Sequence, residues 1–241
     1  MTGLSSSGSF GKIPQPISAH PDFDVGLRAY MLRVYNYMGA GLALTGVVAY
    51  AAATSGMYAA IAGTPWIWLV ILSPLAFVVL LSIGFDRMGV RTAQLGFWVF
   101  AAVMGLSLAS IFLHFTGASI ARLFFITGAT FGAMSLYGYT TKNDLSRIGS
   151  FLFMGLIGIV IAALVNLVIG SSALQFVMSV IGVIVFTGLT AWDTQQIKDS
   201  YVEQDTGDLA GKKAIFGALQ LYLNFINLFT SLLQLFGQRD R

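Results

Sequence analysis

Charge is what this sequence has least of. Lys, Arg, Asp and Glu make up 10% of its 241 residues, against 56% apolar residues, and its mean hydropathy is +0.80. A soluble domain carries about 25% charged residues. So few charges cannot cover the surface of a water-soluble fold of this length, and that class is excluded. Cysteine is absent, which excludes disulfides and thiolate metal sites. Histidine occurs only at His20 and His114, so an H-E-x-x-H metalloprotease cannot be built. The lysines are Lys12, Lys142, Lys198, Lys212 and Lys213, all in loops or at helix ends, so a Schiff-base lysine deep in a helix is missing. No serine–histidine pair with a nucleophile elbow is present. The expectation is a protein that is not an enzyme and carries no cofactor. The formal charge of +3 is too small to read as a nucleic-acid footprint. The first 33 residues are polar, without an apolar h-region, so no cleavable signal is expected and the first membrane helix must direct its own insertion.

What is present is a series of long apolar runs. A helix needs about 20 mostly apolar residues to cross roughly 30 Å of hydrocarbon. Seven segments meet that length: Val34–Ala53, Trp66–Gly84, Ala93–Phe115, Ser119–Tyr139, Gly149–Ile169, Ala173–Trp192 and Ala214–Phe236. The reading is an all-α membrane protein, a bundle of seven transmembrane helices over residues 29–241 behind a polar, flexible tail of residues 1–28. Most connections are short. The exception, Asp193 to Lys213, carries five acidic and three basic residues.

Orientation follows from lysine and arginine. The tail, the second–third, fourth–fifth and sixth–seventh loops together carry ten basic residues, against Arg122, Arg239 and Arg241 on the other side. The N-terminus is expected in the cytoplasm. Seven spans put the C-terminus outside; a re-entrant last helix would return it.

The last apolar segment carries a polar stripe. Lys213, Gly217, Gln220, Asn224, Asn227, Ser231 and Gln234 recur at steps of three and four, on one helix face. Amide side chains need partners in hydrocarbon, so the stripe is expected to face the bundle interior, as a seam of interhelical hydrogen bonds or a water-lined path. Asp193 ends the sixth segment beside Trp192, either solvated or, if buried, a cation or proton gate at the mouth of that seam. Burial would disfavour its charged form, and a nearby Arg or Lys would favour it. Asp86 and Arg87 follow the second segment on the same side, and Arg87 is within reach of Asp193. Otherwise they are loop charges that set topology. Gly128-Ala-Thr-Phe-Gly132 and Gly158-Ile-Val-Ile-Ala162 read as small-xxx-small packing motifs. Pro74 is expected to kink the second segment. Trp66, Trp68 and Trp192 fit an interfacial belt.

Three stretches together resemble the Bax inhibitor-1 (transmembrane BAX inhibitor motif) family: Tyr139–Gly155, with Tyr-Thr-Thr-Lys-Asn-Asp-Leu-Ser at its start; Phe186–Gln195, with Thr-Ala-Trp-Asp at residues 190–193; and Ala218–Phe229. With the seven-helix plan, the likeness covers nearly everything after residue 28. The resemblance implies a last helix surrounded by the other six and a pH-sensitive Ca²⁺ leak of the bacterial inner membrane. It also implies two aspartates that share a proton, with a basic latch from the second helix. The sixth-helix aspartate matches Asp193, which makes it the expected Ca²⁺ ligand. The last-helix position holds Asn224. An Asp–Asn pair has no like-charge repulsion, so proton sensing should be weakened or moved to lower pH, and a Ca²⁺ site loses one formal charge. Some bacterial members are associated with a membrane-bound ATP-dependent protease. A regulator without transport activity is therefore a second expectation, which deletion of residues 1–27 would separate from a leak. A coupled cation transporter, with saturable exchange, is a third.

Overall fold

The computed structural model describes residues 25–84, 88–205 and 207–240. The described residues form eight helices: α1 (Val25–Thr54), α2 (Met57–Ala62), α3 (Trp66–Gly84), α4 (Val90–His114), α5 (Gly117–Thr140), α6 (Ser146–Ile169), α7 (Ser172–Asp199) and α8 (Gly207–Phe236). No strand forms among the described residues. Among the described residues six helices, α1 and α4 to α8, are long and apolar enough to cross a membrane. The second expected segment is a helix with the bounds read from sequence, Trp66–Gly84. Of the expected tail, residues 1–24 lie outside the described residues, as do Asp86 and Arg87; residues 25–28 are already helical.

Local chemistry sets the helix limits. Gly56 and Gly170 take left-handed backbone angles, φ 73° and 68°, after α1 and α6, a region that costs glycine little. Thr116 and Ser171 cap α5 and α7 by accepting from the N–H of Ser119 and Leu174, which satisfies donors the helix start leaves open. Inside α3, Pro74 has no N–H for the carbonyl four residues back. That carbonyl, on Val70, instead accepts the Ser73 hydroxyl at 2.9 Å. A serine thus repairs a broken rung that lipid could not solvate.

The sixth segment continues beyond the apolar run. α7 extends to Asp199 and α8 begins at Gly207, so the expected loop from Asp193 to Lys213 shrinks to residues 200–206. Hydropathy marks where the chain leaves hydrocarbon, whereas the hydrogen-bond ladder continues as long as the residues tolerate helix. Lys213 closes this short loop through the Asp205 carboxylate at 2.6 Å and the Ser200 carbonyl at 3.0 Å.

Ring and hydrogen-bond contacts give the helix directions. Tyr37 lies beside Phe97 and Tyr50 beside Phe112, so α1 and α4 run parallel. The start of α1 meets the end of α7 through Tyr30 and Ser200, and we call this the near end. At the far end Phe115 bridges Arg239, and the Asp240 N–H donates to the His114 carbonyl. The last helix therefore starts at the near end and finishes at the far end. It packs against α1, α4, α5 and α7, while α6 packs against α7 and α3 against α4. Of α8's apolar stretch 72% is buried, against 6% for α6. Tyr222, Leu221, Leu228 and Leu233 are among the largest fully buried side chains.

Glycines at helix contacts differ from those the motifs suggested. A Cβ on Gly128, Gly132 or Gly158 would meet nothing within 4 Å, so neither small-xxx-small pattern is a packing seam. Close approaches occur elsewhere, among them Gly138, where a Cβ would strike the Ala191 backbone, and Gly149, where it would strike the Trp192 ring. At Gly182 it would stand 2.6 Å from the Ser231 hydroxyl oxygen.

Candidate functional site

Asp193 and Asn224 meet where α7 and α8 cross the near half of the bundle. The Asn224 amide nitrogen donates to the Asp193 carboxylate at 2.6 Å. Asp193 is 8% exposed and Asn224 5%. Asp193 is therefore not a solvated residue at a helix end. It lies six residues before the end of α7, about 9 Å along its axis. The bond is charge-assisted, with a length at the short end for N–H···O⁻. A buried carboxylate has acceptor sites for more than one donor. Among the described residues no basic group pairs with it; the ion pairs present are Lys198–Asp199 and Lys213–Asp205. Nor do three or more His, Cys, Asp or Glu side chains cluster there as metal ligands. A single carboxylate next to an amide can attract a cation but lacks the six to eight oxygens of a storage site for Ca²⁺.

The polar stripe of α8 follows its seam with α7. Ser231 faces Gly182, the Ser179 hydroxyl donates to the Gln234 amide oxygen at 2.6 Å, and Gly217 packs on Ile197. The stripe does not lie wholly inside, however. Gly217, Asn224 and Ser231 are buried and Asn227 is half-buried, with its amide donating to the Leu223 carbonyl of its own helix, while Gln220 and Gln234 are exposed. The bundle interior is taken by the apolar faces of α8. Steps of three and four place residues on one face but do not say which neighbour covers it.

Sequence reasoning missed the polar groups that set the surroundings of Asp193. The Tyr35 hydroxyl bonds Ser135 at 2.7 Å, Ser135 bonds Thr194 at 3.0 Å, and Thr194 donates to the Thr190 carbonyl at 2.7 Å. This chain links α1, α5 and α7 directly behind Asp193. One residue further, Gln195 accepts from the Leu145 N–H and donates to the Asn143 carbonyl, both at 2.9 Å. Lys198 donates to the Tyr139 carbonyl at 3.1 Å. The last turns of α7 thus hold the α5–α6 connection. Scattered Ser, Thr and Gln residues have no spacing that marks them; only the step from Thr190 to Thr194 hinted at a shared face. Trp192, expected at an interfacial belt, is half-buried over Gly149, and its indole N–H has no partner among the described residues. Trp66 and Trp68 are exposed.

The family described as "Inhibitor of apoptosis-promoting Bax1" matches residues 27–241. A protein of Rickettsia prowazekii is 48% identical over 223 residues, covering 92% of this chain and 94% of its own. The inner membrane protein YbhL of Escherichia coli (strain K12) is 48% identical over 218 residues, covering 89% and 93%. A membrane protein of Streptococcus pyogenes is 35% identical over 220 residues, covering 90% and 96%.

Proposed function

The chain belongs to the Bax inhibitor-1 family, and from that premise we propose that it is a passive cation leak, for Ca²⁺, of the inner membrane. Asp193 and Asn224 form its gate at the cytoplasmic side. The observation that carries this reading is the buried bond between them at 2.6 Å, on a helix seam that also holds Ser231 and Gln234. An ionisable group in a membrane bundle marks an ion path more readily than a packing site. A gate made of one carboxylate and one amide binds a cation weakly enough to release it, which conduction requires.

The proposal includes a seventh crossing by α3 and a last helix at the centre of the bundle. What supports the crossing is that α1 and α4 run parallel, so the chain between them must return to the near end. The 19 residues of α3 reach about 28 Å. What supports the central helix is the burial of α8 and its packing on four others. The near end is cytoplasmic by the excess of basic residues there. The basic latch that the family resemblance implies corresponds in sequence to Arg87, which follows Asp86; both lie outside the described residues.

Ca²⁺ flux into liposomes holding the purified protein tests the reading. Influx above protein-free liposomes is expected between about pH 5 and 8, and its absence throughout would refute the leak. Replacing Asn224 with Asp should introduce or steepen the pH dependence, since two close carboxylates titrate as a pair. Identical pH profiles for the two proteins would refute the shared-proton account of the gate.

A further inference from the structure

We propose that the cleft between α1 and α5 is a binding site for one anionic phospholipid, with the phosphate on Arg28 and one acyl chain in the groove. The cleft encloses about 500 Å³ and is lined by Met31, Leu32, Phe131 and Leu136, with Arg28 at its near end. Two of its polar lining residues, Tyr35 and Ser135, are hydrogen-bonded to each other and continue to Thr194. These paired hydroxyls do not need water, and an acyl chain can lie over them without stranding their donors or acceptors.

The position of Arg28 along the membrane fits a phosphate. α1 has 30 residues, about 45 Å, against roughly 30 Å of hydrocarbon. Arg28 lies six residues before Val34, where the apolar run begins, about 9 Å along the helix and hence at headgroup level. It is exposed and makes no ion pair or hydrogen bond with the described residues. The neighbouring cation, Lys198, is occupied by the Tyr139 carbonyl and stands 4.0 Å from Asp199. Among the described residues, the free positive charge at the mouth of the groove belongs to Arg28, and the complement of a cation above an apolar slot is an anion on a hydrocarbon chain. The proposal does not rest on the leak, and its test does not measure flux.

Native mass spectrometry of the full-length protein in detergent, titrated with phosphatidylglycerol or phosphatidylcholine of the same chains, tests it. One phosphatidylglycerol should bind in preference to phosphatidylcholine. Arg28→Gln should weaken that binding about fivefold, the effect of one basic residue at an anionic surface. Gly132→Leu should abolish it: a Cβ there meets nothing within 4 Å, so the larger side chain fills the groove without disturbing the helix. Glycerol phosphate, which has no chain, should not compete. Equal affinity for the two lipids, unchanged binding in Gly132→Leu, or competition by glycerol phosphate would each overturn the proposal. So would a dimer mass that shifts to monomer in Gly132→Leu, because a second copy would then be the occupant.

Discussion

At the scale of single residues, the Asp193–Asn224 bond is where chemistry is most concentrated. Removing the amide leaves a buried carboxylate without its donor, which costs about 1–3 kcal/mol. Asn224→Ala should therefore lower the melting temperature in detergent. Asp193→Asn added to that variant should recover part of the loss, because a neutral amide is cheaper to bury than an unpaired charge. No recovery would mean that Asn224 acts through packing and not through Asp193. The pairing of these two positions was expected from the likeness to the family, while the polar steps of the last helix marked only the face that carries Asn224. The depth of Asp193 was not. Hydropathy falls at Asp193, but α7 continues to Asp199 and its final turns are covered by the α5–α6 connection through Gln195 and Lys198.

At the scale of helices, glycines separate packing from mere composition. Gly138→Ala forces a methyl into the Ala191 backbone, and overpacking of this kind costs about 1–3 kcal/mol. Gly128→Ala meets open space and should be neutral or stabilising by about 0.5–1 kcal/mol. Thermal unfolding of the two variants should rank them in that order, opposite to what the small-xxx-small motif suggests. The start of α6 supplies a pH prediction. Asp144 accepts from the Ser146 N–H at 2.8 Å, and its bonds to Ser146 hold its carboxyl below the usual carboxylate value. Because the folded value is depressed, the stabilisation is present above the unfolded value of about 3.9 and is lost as pH falls through the folded one. Asp144→Asn should be less stable than the parent at neutral pH, and the two should converge in acid. Melting temperatures across that range measure the difference, and a constant gap would show that the carboxylate plays no part.

At the scale of the whole molecule, the arrangement of ends is the testable feature. α8 starts beside α7 at the near end and closes on Phe115 and His114 at the far end. With the near end cytoplasmic, an alkaline phosphatase fused to the C-terminus should be active and a green fluorescent protein should be dark. The reverse result would mean that the near end does not face the cytoplasm. The helix ends run beyond the apolar segments, α1 from Val25 and α7 to Asp199, but membrane residence and helix content follow from composition and run length alone, because a helix closes its backbone bonds within itself in hydrocarbon. Which face of each helix is covered does not follow from them. Gln220 and Gln234 share the stripe of Asn224 yet remain exposed, and Gly128 resembles Gly138 yet touches nothing. Burial depends on the neighbour opposite, and helix period specifies a face but not its partner; only the tertiary packing of α7, α8 and α1 against one another decided which polar groups were drawn inside.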